Sequence, residues 1–128
     1  MKLLVADDQG PVGEIISRIA EQSGWEAIHT TSTDDLTSKV ISENVSVLLI
    51  DYALDGNPHS TRNGLTVTAE LRAADIDIPV ILFSGWPNMI DSKRAAELDV
   101  IKVLEKPLSI QDLQTALNEA KAKATANA

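Results

Sequence analysis

The chain contains no cysteine, and this absence removes several classes of chemistry at once. Disulfide frameworks, thiolate metal sites and cysteine nucleophiles all require that residue. Aromatic residues make up only 3% of the sequence, so the core must consist mainly of aliphatic side chains. Such a core favours an α/β fold, because buried parallel strands are rich in Val, Ile and Leu.

Basic residues are also scarce, since 11 Lys and Arg stand against 19 Asp and Glu, which gives a net charge of −8. Such a surface repels nucleic-acid phosphates and anionic membranes, so direct binding to nucleic acid is not expected. Long hydrophobic runs are missing, and residues 3–6 are too short for a signal-peptide core. We therefore expect no membrane insertion, and a cytoplasmic location is the simplest interpretation.

Short apolar segments are abundant, and five of them predict β-strands. Residues 2–6, 45–50 and 79–83 are apolar apart from Lys2 and Ser46 and do not alternate with polar residues, as is typical of strands covered on both faces. Residues 100–105 and the weaker segment 25–30 complete the set. At 128 residues the chain has the length of one ordinary domain.

Helical patterns lie between the strands, at residues 11–22, 33–42, 64–74 and 88–97. The first is the clearest, because its apolar residues recur at helical spacing: Val12, Ile15, Ile16, Ile19 and Ala20.

A last helix is predicted after Pro107, with Ser109 and Asp112 as its N-terminal cap. Its apolar face consists of Ile110, Leu113, Leu117 and Ala120. We expect a domain over residues 1–122 and a frayed tail over 123–128.

This alternation predicts a doubly wound parallel sheet with right-handed crossovers and helices on both faces. Polar groups follow four of the strands: Asp7 and Asp8, then Asp51, Ser84 and Lys106. Because the carboxyl ends of parallel strands meet at one edge, we expect these groups to share one crevice. Three clustered carboxylates repel one another unless a cation joins them, and oxygen ligands of this kind suit Mg²⁺.

The same set of groups has a possible role in phosphoryl transfer. A carboxylate can attack a phosphoryl group, and the charge that develops is stabilised by a metal, a cation and a hydroxyl. Taken singly, each residue has a simpler explanation, as a helix cap, a turn residue or a solvated lysine. Their joint occurrence at matching strand ends favours the functional interpretation.

The sequence resembles a response-regulator receiver domain of two-component signal transduction over nearly its whole length. The segments that carry the resemblance are "LLVADD", "VLLIDYAL", "VILFSG" and "VLEKP". It implies a flavodoxin-like fold with strand order 2-1-3-4-5 and a phosphohistidine donor, on a sensor histidine kinase or a phosphotransfer protein. At most, such a domain catalyses its own phosphorylation and autodephosphorylation.

The resemblance also implies roles for particular residues. Asp51 would accept the phosphoryl group, and Ser84 and Lys106 would contact its oxygens. Asp8, Asp51 and the Ala53 carbonyl would surround Mg²⁺, with Asp7 acting mostly through a water.

The sequence departs from the family pattern at several places. Gly64 follows Asp51 by 13 positions, which indicates an inserted loop over residues 55–63. Val103 stands where the family usually has an aromatic switch residue. Asp99 replaces a turn glycine, and we expect it in the left-handed conformation, which Asp tolerates better than most residues. Ala53 and Trp86 flank the phosphorylation site, where neither can orient an attacking water.

Some alternatives stay open. The two histidines, His29 and His59, are isolated and are interpreted as bystanders. A phosphatase with an aspartyl nucleophile would need a second Asp at position 53, where this chain has Ala. A pseudo-receiver, which keeps the fold as an interaction module without phosphorylation, is the principal alternative. The pathway, the output partner and whether the domain acts alone are not determined.

Overall fold

A five-stranded parallel sheet lies at the centre of the computed structural model, which describes residues 1–32, 34–54, 56–57 and 59–126. Its order is β2-β1-β3-β4-β5, and every neighbouring pair is parallel. The predicted flavodoxin-like topology is therefore confirmed. The strands are β1 (Lys2–Ala6), β2 (Glu26–Thr30), β3 (Val47–Asp51), β4 (Val80–Ser84) and β5 (Val100–Glu105).

Helices cover both faces of this sheet and enclose two separate hydrophobic clusters. One cluster contains buried residues of α2, α3 and α4, and the other contains buried residues of α1 and α5. Among the described residues, no helix combines the length and the apolar character needed to cross a bilayer. The helices are α1 (Gly10–Gln22), α2 (Leu36–Ser42), α3 (Gly64–Ala73), α4 (Ser92–Glu97) and α5 (Ile110–Ala126).

The last helix, α5, continues to Ala126, past the expected domain end at residue 122. Residues 123–126 are helical, and residues 127–128 lie outside the described part of the chain. Ala124 packs against the cluster under α1 and α5, and Lys123 forms an ion pair with Asp99 at 3.6 Å. These contacts and the high helix propensity of Ala and Lys extend the helix past the expected end.

Two other predicted helices are shorter than the sequence pattern indicated. The segment 88–97 divides into a 3₁₀ turn at Pro87–Met89 and α4, because Ile90 is extended and Asp91 caps α4 through the Arg94 backbone N–H. The helix predicted from position 33 begins at Leu36, and Thr33 lies outside the described residues. The turn before β5 matches its prediction, since Asp99 has a φ of +63°.

Two residues assigned to buried helix faces are exposed instead. Ile15 and Ile110 each expose 58% of their surface. They line an apolar groove of about 510 Å³ between α1 and the start of α5, which Lys106 also borders. Helical periodicity predicts which residues form the apolar face of a helix. How much of that face is buried depends on the neighbouring elements that pack against it.

The start of α3 is held very close to the strand that carries Asp51. The Asn63 side chain accepts from the backbone N–H of Leu65 and Thr66, and the Thr66 hydroxyl accepts from the Asn63 N–H. A Cβ at Gly64 would lie 2.7 Å from the Leu82 side chain and 3.1 Å from the Asp51 carbonyl oxygen. Glycine is therefore required where the inserted loop returns to the sheet.

We expect Gly64→Ala to lower the free energy of unfolding by about 1–3 kcal/mol, because α3 must move away from β3 to admit the methyl group. The measurement is urea denaturation followed by Trp fluorescence, since Trp25 is buried. Gly10→Ala is the matched control, because a Cβ there meets nothing within 4 Å. Equal stability of the two variants would show that α3 is not held at this distance.

Candidate functional site

Three carboxylates meet at the carboxyl edge of the sheet, where β1 and β3 end. Asp7, Asp8 and Asp51 each place one oxygen within 4.8 Å of the others. Asp7 and Asp51 are buried, and Asp8 is exposed. The predicted convergence of acids is therefore present, with one open side facing solvent.

The Asp7 carboxylate has unequal surroundings at its two oxygens. Oδ1 accepts a hydrogen bond from the Gln9 N–H at 2.8 Å, whereas Oδ2 is buried without a hydrogen-bond partner. Burial, with a contribution from the Asp51 charge, raises the pKa of Asp7 to about 6. A buried acceptor without a partner is costly, and a cation would remove that cost.

Asp51 is held at both carboxylate oxygens. Oδ2 accepts from the Lys106 ammonium at 2.8 Å, and Oδ1 accepts from the Ala53 N–H at 3.1 Å. Burial raises the pKa of Asp51, while the Lys106 ammonium opposes that rise. The carboxylate is thus fixed in orientation with its charge partly balanced by Lys106.

Ser84 lies at the end of β4 beside this pair, fully buried. Its backbone carbonyl accepts from the Lys106 N–H at 2.9 Å, and its Oγ accepts from the Trp86 N–H at 2.8 Å. The hydroxyl proton is not used by the Trp86 contact, and it can be donated to another acceptor. The indole of Trp86 is 45% exposed at the rim.

The Ala53 carbonyl, a predicted metal ligand, accepts from the Gly56 N–H at 3.1 Å. Because a carbonyl oxygen has two lone pairs, this turn leaves one for a cation.

The loop before α3 is tied to that helix by a hydrogen bond, in which the Thr66 hydroxyl of α3 donates to the Thr61 carbonyl at 2.7 Å. Asp55 and Pro58 of the predicted insertion lie outside the described residues.

These residues fit a hard divalent cation. The three carboxylates offer only oxygen ligands, and Mg²⁺ binds through one or two carboxylates while it retains waters. The partnerless Oδ2 of Asp7 is the observation of this structure that favours an ion here.

Sequence reasoning missed contacts of two aromatic rings near the site. The Phe83 ring lies under the Lys106 ammonium, which is 4.8 Å from its centroid. His29, interpreted as a bystander, places Nε2 3.4 Å from the Asp7 carbonyl oxygen, and its ring fills the space over Gly13. His59 is exposed in the loop. Neither ring contact has a sequence signal, because both join residues distant along the chain.

The sequence model of the response regulator receiver domain matches residues 3–118 of this chain. The chain belongs to that family. Receiver domains are modules of two-component signalling that typically bind Mg²⁺ at an acidic pocket, and this chain has an acidic cluster at Asp7, Asp8 and Asp51.

Individual relatives are distant in sequence but similar in fold. The Pseudomonas aeruginosa phosphate regulon transcriptional regulatory protein PhoB is 22% identical over 113 residues, 87% of this chain and 47% of PhoB. The chain thus spans about half the length of this curated relative. The Francisella response regulator 1452 receiver domain has a TM-score of 0.81 at 23% identity and 95% and 97% coverage of the two chains. A CheY-like receiver from Methanospirillum hungatei has a TM-score of 0.84 at 16% identity and 99% and 98% coverage.

The raised pKa of Asp7 makes the stability of the metal-free protein depend on pH. The folded protein holds the Asp7 proton up to about pH 6, whereas an unfolded carboxyl releases it near 3.8. Stability therefore falls as pH rises from about 4 through 6, by about 1–3 kcal/mol for this group. We expect Asp7→Asn to flatten this fall, measured by urea denaturation in EDTA from pH 4 to 8.

The control for this measurement is Glu119→Gln, which neutralises an exposed carboxylate on α5. This variant should keep the wild-type pH profile. An unchanged profile for Asp7→Asn would mean that Asp7 is not responsible for the pH dependence.

Proposed function

We propose that this receiver domain accepts a phosphoryl group from a phosphohistidine onto Asp51, with Mg²⁺, and signals by a change in its surface. The observation that carries the proposal is the Asp51 carboxylate itself. It lies in the acidic cluster, with Lys106 donating to Oδ2 at 2.8 Å and a partnerless Asp7 oxygen within the same cluster.

The transfer forms one bond and breaks another. An Asp51 carboxylate oxygen attacks phosphorus, the phosphorus–nitrogen bond breaks, and the imidazole leaves with the electron pair and takes up a proton. Lys106 moves from the free carboxylate to the phosphoryl oxygens, and the Ser84 hydroxyl donates to one of them. These are the charge-stabilising roles that a cation and a hydroxyl fill in such transfers.

Asp7, Asp8, Asp51 and the Ala53 carbonyl would hold the metal. When bound, Mg²⁺ supplies positive charge beside the phosphoryl oxygens. All three acids would bind the ion, and Asp51 would in addition provide the oxygen that attacks phosphorus. Binding requires Asp7 to lose its proton, so the affinity for Mg²⁺ rises with pH through about 6.

The proposed donor is a protein, either a sensor histidine kinase or a histidine phosphotransfer protein. Such a donor must bring its imidazole to the rim, and it needs surface beside Asp51 on which to dock. The apolar groove with Ile15 and Ile110 on its sides supports this, because Lys106 borders both the groove and the site.

A pseudo-receiver that binds partners without phosphorylation is the second candidate. One observation favours it: the usual aromatic position carries Val103, which is 37% exposed and has no ring to change rotamer. The two candidates differ in whether wild-type protein gains a phosphoryl group.

Incubation with Mg²⁺ and acetyl phosphate should add one phosphoryl mass to the wild-type protein, detected by intact mass spectrometry. Asp51→Asn should abolish this adduct, because an amide cannot replace the attacking carboxylate. Lys106→Ala should still be phosphorylated but should lose the downstream response, because Lys106 contacts the phosphoryl group without forming the bond. Normal labelling of Asp51→Asn would refute the assignment, and no adduct on wild type would favour the pseudo-receiver.

Mg²⁺ should raise the melting temperature of the unphosphorylated protein, because a bound cation relieves the repulsion among the clustered acids. The gain is ~2.7 kcal/mol at a hundredfold excess over Kd. Asp8→Ala should show a much smaller shift, measured by thermal denaturation with and without MgCl₂. Glu119→Ala, on α5, should keep the wild-type shift, and a full shift in Asp8→Ala would place the ion elsewhere.

A further inference from the structure

The contact between Lys106 and Phe83 is the feature near the site that the family roles do not explain. The Lys106 ammonium lies 4.8 Å from the centroid of the Phe83 ring. Phe83 is the only phenylalanine in the sequence, and it is fully buried. Its ring is therefore held in place by packing, whereas the lysine side chain is long and flexible.

The strand register puts Phe83 between Asp51 on β3 and the end of β5, which Lys106 follows. On one side of β4, Phe83 pairs with Asp51, and on the other side it pairs with Leu104, two residues before Lys106. The ammonium thus has two contacts in this structure, the ring face and the Asp51 carboxylate at 2.8 Å.

The physical basis is the attraction between a cation and the negative face of an aromatic ring, which strengthens when water is partly excluded. The Lys106 side chain is 27% exposed, so exclusion is substantial. No ring approaches from the usual family position, because residue 103 is valine.

We propose that Phe83 is a positioning residue for Lys106, and that its ring holds the ammonium over the phosphorylation site. The contact is present in the unphosphorylated protein. Its consequence for the rate of phosphorylation rests on the proposed function.

Replacing the ring by an aliphatic side chain separates this role from packing. Phe83→Leu keeps the site apolar but removes the ring face, so Lys106 samples more rotamers and meets the incoming phosphoryl group less often. Phosphorylation by acetyl phosphate should slow by about fivefold. Mg²⁺ affinity should not weaken, because Lys106 opposes the cation and a freer ammonium opposes it less. Damage to the fold would instead lower both the phosphorylation rate and the affinity for Mg²⁺.

The first test is NMR of protein with ¹³C-labelled lysine, in which Lys106 is assigned by its absence from Lys106→Met. Protons near the ammonium should be shifted upfield by the ring in wild type, and Phe83→Leu should return them to the position of the other lysines. Lys106 protons without an upfield shift in wild type would overturn the proposal. This test does not depend on phosphorylation, so it decides the contact even if no adduct forms.

The second test is a double-mutant cycle of phosphorylation rates with Phe83→Leu and Lys106→Met. The slowing caused by Phe83→Leu should be present with Lys106 and absent in the Lys106→Met background. The same slowing in both backgrounds would show that Phe83 acts through packing alone. Phe83→Met, which fills the site with a flexible apolar side chain, replaces Phe83→Leu if that variant does not fold.

Discussion

The concentration of negative charge at one edge of the sheet is the constraint on which the site depends. Three carboxylates lie together, and two of them are buried. In the described part of the chain, Lys106 provides the ion pair to this cluster, and it reaches Asp51 alone. Asp7 is left with a raised pKa and an oxygen without a partner. The metal-free site therefore stores unfavourable electrostatic energy that a cation or a proton can release.

The fold supplies this arrangement through the ends of its strands. Parallel strands end at a common edge, so residues far apart along the chain meet there. The start of α3 also lies close to β3. Gly64 allows this close packing because it has no side chain, and Asn63 and Thr66 cap the helix reciprocally.

The departures from the family pattern differ in their structural consequences. Asp99 occupies a left-handed turn in place of glycine, and its carboxylate pairs with Lys123 on the extended α5. Val103 is more consequential, because it leaves the position of the usual aromatic switch without a ring. The ring beside Lys106 belongs to Phe83, whose surroundings are the cluster under α1 and α5. Lys106 is therefore linked by this contact to the side of the sheet that α1 and α5 cover.

The sequence by itself determined the class of fold, the strand order implied by the receiver motifs and the meeting of Asp7, Asp8 and Asp51. The class of fold and the meeting of the acids follow from local patterns: continuous apolar strands, alternation with helices, and polar residues at strand ends. The strand order follows from the resemblance to receiver domains. Helix limits were less predictable, as α4 and the end of α5 show, because capping and tertiary contacts decide them.

Tertiary structure alone decided the contacts between distant segments. The exposure of Ile15 and Ile110, the histidine against Gly13 and the ring under Lys106 each depend on which elements pack together. Periodicity reports the direction in which a side chain points, whereas burial and contact depend on what lies opposite. The partner of a flexible lysine is set by the ring and the carboxylate that the folded sheet places within its reach.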